Sequence, residues 1–208
     1  VGPVVMAGFL IYRNLPTIKG NNTQALKEYT QRMAAQLPET GAIILSDEPH
    51  LILLLEAQYA ATGNNPHILL DTRSLPYARY QSTLASHYPG RWTDLVNGKS
   101  LPEPLPGPAV AQLIGLHAQT NRLYYLHPAG GPHILEFYHA IPRGVVYELV
   151  LYQNKQTVAQ PMTAETEQFN ESFWGEQRDF LNQLQPFSRR PRSDAGVVAR
   201  YLSRSLDK

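Results

Sequence analysis

Cysteine is absent from the 208 residues, which excludes thiol catalysis, Cys-ligated zinc and disulfide staples together. Cytoplasm and periplasm both remain open on that count. A dominant charge is missing too: 18 Lys/Arg stand against 17 Asp/Glu, for a formal +1. A strongly basic nucleic-acid binder is therefore disfavoured, and no nucleic-acid partner is expected. No G-x-G-x-x-G follows a strand pattern, and no G-x-x-x-x-G-K-[ST] occurs, so a dinucleotide or P-loop enzyme is disfavoured. The G-x-S-x-G elbow of the α/β-hydrolases is also lacking. No apolar run reaches the roughly 20 residues of a spanning helix.

What remains is an ordinary folding composition. Apolar residues make up 43% and charged residues 17%, enough for one sizeable domain or a domain with an appendage. Seventeen prolines and twelve tyrosines point to many turns and amphipathic surface. The chain starts at Val1, which reads as a fragment or processed product. "VGPVVMAGFLIY" is uncharged up to Arg13. It lacks the basic start and small-residue cleavage site of a signal peptide. Two readings stay open: a buried element, or the last turns of a membrane span.

Residues 13–22 are a polar link. Thr23 is placed to cap a helix whose Leu26, Tyr29, Met33 and Leu37 share one face, with Pro38 as its stop. "AIIL" (42–45) is apolar throughout, as a central parallel strand requires. A helix over 48–61 follows, with Pro49 in its first turn and Gly63 beyond its end. Residues 67–70 make a second strand. Strand, helix and strand within about thirty residues is a β-α-β unit. Further helices are predicted at 76–88, 108–119 and 164–184, the last presenting Phe169, Phe173, Phe180, Leu181 and Leu184 inward. "RLYYLH" reads as a strand, and "ILEFYHAIPRGVVYELVLYQ" as an antiparallel edge hairpin. A final helix starts at Asp194.

The expected fold class is α/β: a mainly parallel three-layer sheet with helices on both faces and an antiparallel edge hairpin. The expected division is a membrane-proximal segment and linker at 1–20, the α/β domain at 21–187, and a linker with the start of a C-terminal helical region at 188–208.

Ligands of open α/β sheets sit beyond the strand C-termini. That singles out Ser46, Asp47, Glu48 and His50 beside Asp71, Thr72 and Arg73. Asp47 and Asp71 could hold a divalent cation, or Arg73 with the helix N-terminus could hold an anion. Ordinary capping and turn chemistry accounts for each residue singly. His127, His133 and His139 recur every six residues, a spacing that does not by itself converge side chains on a metal. Arg91 beside Trp92 on a loop suits a sugar ring or polar head group, though loop aromatics also serve as lids over a core. Gly130 and Gly131 permit a close backbone approach. "SRRPR" could meet anionic lipid heads, at about 1 kcal/mol per basic residue, or form a solvated linker.

The order of elements resembles the extramembrane part of large bacterial multi-pass proteins of unknown function, related to the protein O-mannosyltransferase and GT-C glycosyltransferase group. Leu37-Pro38, Ala42 to Asp47 and Ile68 to Asp71 carry the likeness, together with Pro142, Gly144, Tyr147 and Leu149 of "IPRGVVYEL". It covers most of residues 1–152. One departure is Ser46-Asp47-Glu48-Pro49, where the family commonly has Gly-Asp. The resemblance implies an accessory domain on the periplasmic face. It would be anchored through residues upstream and would orient a lipid-linked sugar or polypeptide acceptor, with the catalytic acid in an early loop outside this chain. No cofactor is expected. Two other classes compete with this reading. A metal-assisted hydrolase would bind Mg²⁺ or Mn²⁺ through Asp47 and Asp71. An interaction module would dock a partner through Trp92 and the C-terminal helix, and would keep its fold in Trp92→Ala.

Overall fold

A computed structural model describes residues 24–39, 41–93, 103–127, 136–152, 161–189 and 193–206. Residues 1–23, Gly130, Gly131, His133 and 190–192, named above, lie outside that set.

The first helix, α1 (Ala25–Ala35), buries Ala25, Tyr29 and Met33, the face its spacing marks as apolar. Its N-cap position is Gln24, whose side chain makes no cap bond. Strand β1 (Ala42–Ser46) is buried along its whole length. Helix α2 (Pro49–Thr62) begins on a proline and ends at Gly63, which takes the left-handed conformation (φ 70°) that closes helices cheaply only at glycine. Strand β2 (Ile68–Asp71) follows. Helices α3 (Ala78–His87) and α4 (Gly107–Ala118) lead to β3 (Arg122–Leu126). The hairpin β4 (Tyr138–Arg143) and β5 (Val146–Leu151) comes next. Helices α5 (Ala164–Glu176), α6 (Arg178–Leu184) and α7 (Asp194–Leu206) complete the described elements.

The five strands form one sheet in the order β2-β1-β3-β5-β4. β1 pairs in parallel with β2 and with β3, while β5 runs antiparallel to both β3 and β4. The fold is therefore α/β, with a parallel centre and an antiparallel hairpin at one edge. Strand alternation sorts the core into two layers. Ala42, Ile44, Leu69, Tyr124 and Leu126 pack with α1, α2 and α5–α7. Ile43, Leu45, Ile68, Leu70, Leu123 and Tyr125 pack with α3 and α4. Helices thus cover both faces, which is why the parallel strands carry no polar alternation.

Three details differ from the sequence reading. The helix expected over 164–184 is two helices, broken at Gln177, whose Oε1 accepts from Arg32 Nε on α1. Gly175 just before the break lowers the cost of leaving the helix. Phe169, expected inside, is 36% exposed, whereas Phe173, Phe180 and Leu184 are buried. The expected boundary at 187/188 separates elements that share one core. Ala195, Val198, Tyr201 and Leu202 of α7 are buried against Tyr29 and Met33 of α1.

Candidate functional site

The chain moves from β1 through α2 to β2 on one side, then returns past β1 to β3 on the other. The direction of winding reverses at β1, and ligand sites of open α/β sheets lie where strands diverge at such a reversal. Ser46, Asp47, Asp71, Thr72 and His127 all stand at this end of the sheet, because Ser46 pairs with both Asp71 and Leu126.

Ser46 is buried. Its hydroxyl accepts from Glu48 N (3.0 Å), and its carbonyl accepts from Thr72 N (3.0 Å). Asp47 is 3% exposed. Its carboxylate accepts from the Thr72 hydroxyl and from Tyr125 Oη (2.5 Å). Tyr125 lies one residue before the end of β3 and faces the same layer as Asp47. Burial, followed by the bond to Asp47, pushes its phenol well above the ordinary tyrosine range. Asp71 closes its own turn, with Oδ1 accepting from Arg73 N (3.1 Å) and Oδ2 from Ser74 Oγ (2.5 Å).

Asp47 and Asp71 do not face each other across the strand ends. Register pairs Asp71 with Ser46, one position out of phase with Asp47. Each carboxylate is already engaged by donors from within the fold. Among the described residues no group of three or more His, Asp or Glu is placed to hold a metal ion. The capping expectation also changes. Glu48 occupies the N-cap position of α2 without a side-chain cap bond, and Asp47 turns inward to the core.

His127 follows β3 directly and has a positive φ of 48°. That conformation is uncommon outside glycine. Its Nε2 bonds the buried Tyr29 hydroxyl on α1, and its ring stacks with Tyr201 of α7 at 5.4 Å. Burial raises the Tyr29 phenol well above its usual value. His139 belongs to β4 near its start, where Tyr138 pairs with Leu151, at the opposite end of the sheet. His127 and His139 therefore do not converge.

Arg91 and Trp92 are also far from the strand C-termini. Arg91 donates to the Pro66 carbonyl, before the start of β2. Trp92 is 4% exposed, stacks on His117 at 4.2 Å and donates from Nε1 to Gln81 Oε1 at 3.1 Å. It is a lid over the α3–α4 core and not a docking residue. Removing its indole would open a cavity, so an intact Trp92→Ala fold is not expected. Nearby, His67 is buried and its pKa is lowered to about 4, first by desolvation and then by the Arg91 charge.

Among the described residues, the polar side chains that stay accessible at the strand C-termini include half-buried Glu48 and Asp71 and exposed His50 and Arg73. Beside them runs a groove of about 440 Å³ lined by Leu26, His50, Leu53, Leu54, Val197, Arg200 and Tyr201. The imidazole of His50 and the guanidinium of Arg200 on an apolar groove can orient a ligand. Sequence reasoning missed Tyr125, Tyr29 and Tyr201; strand parity with Asp47 was the one available signal, for Tyr125. Comparison of the chain with family models, with characterised proteins and with solved structures gives no match.

Proposed function

We propose that this chain carries the accessory extramembrane domain of a GT-C-like membrane glycosyltransferase, orienting substrate or partner while residues outside the chain perform transfer. The supporting observation is the commitment of both strand-end acids: Asp47 is held by Thr72 and Tyr125, and Asp71 closes its own turn. A domain whose central carboxylates build the fold presents exposed His50 and Arg73 for recognition. The motif likeness through Leu37-Pro38, Asp47, Asp71 and Gly144 supplies the family. The uncharged run of residues 1–12 fits the end of a membrane span that anchors the chain through residues upstream. No helix among the described residues is itself long and apolar enough to cross a membrane.

Carbonate extraction of the full native gene product, followed by protease treatment of spheroplasts, tests this reading. Retention in the membrane with cleavage of this domain from outside is the expected result. Release as a soluble species overturns it, and would return attention to residues 46–50 and 71–73 as a self-contained site.

A further inference from the structure

Chain direction fixes which end of the domain residues 1–23 approach. α1 ends at Ala35 and the chain turns back to Gly41 and β1, so the C-terminus of α1 lies where the parallel strands begin. Its N-terminus at Ala25 lies at the opposite end, beside the first turns of α2, which directly follows β1. The groove between Leu26, Leu53, Leu54, Val197 and Tyr201 sits at this junction. Leu53 is 58% exposed, although Leu51 and Leu55 of the same helix are fully buried.

We infer that Leu53 and this groove rest on the polar–apolar boundary of an anionic bilayer, with Arg200 set against lipid phosphate. The inference depends on the membrane attachment proposed above and adds the face that meets the lipid. Two features favour a bilayer as the occupant. Residues 13–23 join α1 to the uncharged run 1–12 and contain Arg13 and Lys19 but no acid. Eleven residues span at most about 40 Å, so a bilayer holding residues 1–12 keeps this end of α1 within that reach. The groove also carries an exposed cation, Arg200, on the same lining as exposed Leu53. Arginine stems reach along apolar surface to phosphate. The strand-end residues Glu48, His50 and Arg73 then face the membrane, where a lipid-linked ligand would arrive.

The absence of cysteine makes site-specific labelling clean. Leu53→Cys and, as reference, Leu116→Cys on α4 (46% exposed) would each carry an NBD fluorophore in the 208-residue chain. Circular dichroism verifies that both fold. Vesicles of phosphatidylethanolamine and phosphatidylglycerol with acyl-chain spin labels should blue-shift and quench the probe at 53 and spare the one at 116. Arg200→Gln should weaken binding to these vesicles about fivefold and leave binding to neutral vesicles unchanged. Binding without quenching at 53, or with equal quenching at 116, overturns the lipid-facing assignment and leaves the attachment standing. No binding at all also overturns it, while attachment through upstream residues is read separately by the carbonate extraction of the full gene product. A probe at 53 already blue-shifted and shielded from aqueous iodide without vesicles would mean that protein covers the groove, which also overturns the inference.

Discussion

Asp47 receives two buried hydroxyls, Thr72 Oγ1 directly after β2 and Tyr125 Oη from β3, and so ties together the ends of three adjacent parallel strands. Thr72 has one proton and also lies 3.1 Å from the Ser46 carbonyl, so removal of Asp47 leaves it a partner. Tyr125 Oη would lose its carboxylate acceptor inside the core and keep only its contact with the Thr72 hydroxyl. Hydrogen bonds to a carboxylate contribute about 1.5–3 kcal/mol, and a buried donor left unmet costs about 1–3. Asp47→Ala should therefore lower unfolding free energy by about 3 kcal/mol in urea titration, and Asp47→Asn, which keeps an acceptor oxygen, by clearly less. Equal losses in the two variants would show that the hydroxyl pair contributes little. From the sequence, an acid after a strand and before a helix looks like a cap. Only the cross-strand position of Tyr125, 78 residues away, turns it into a clamp.

At the scale of elements, the β4–β5 turn and α5 lock each other. Asn170 of α5 accepts from Gly144 N at 2.8 Å and donates to the Pro142 carbonyl at 3.0 Å. Gly144 has φ +61°, and a Cβ there would lie 2.8 Å from the Phe173 ring. A side chain at this position therefore meets backbone strain and a ring buried in the core. Gly144→Ala should cost about 3 kcal/mol, or roughly 9 °C in Tm for a chain of this size. A calorimetric shift below about 2 °C would contradict the close packing. Local pattern shows the hairpin well, since Pro142 and Gly144 are turn residues between alternating strands. The break of the last long helical pattern at Gln177 is not visible that way, because it follows from a contact with Arg32 on α1.

For the whole molecule, α7 closes one layer of the core. Tyr29 is buried beneath Tyr201, with their rings stacked at 6.0 Å, and His127 lies beside both. The end of β3, the first helix and the last helix are thereby joined. Removing residues 194–208 would expose Tyr29 and Met33 together with their helix face. The truncated chain should keep far-UV helicity, lose near-UV tyrosine signal and bind ANS, as loosely packed states do. A truncation that unfolds as cooperatively as the full chain would show α7 to be an appendage. The linker-like "SRRPR" invites a domain boundary, yet the helix after it repeats apolar residues at 195, 198, 201 and 202, a face that required a partner.

Composition and periodicity alone determined the α/β class, the β-α-β unit, the edge hairpin and most helix positions, because those depend on side chains a few residues apart. Tertiary structure decided the rest. It separated Asp47 from Asp71 by register, turned Trp92 into a lid, and carried His127 to Tyr29 and Tyr201. It also left Leu53 exposed beside Arg200 while its helical neighbours are covered. Each of these outcomes depends on which strands lie side by side and which helices cover them, and such long-range pairings leave no periodic trace in the chain.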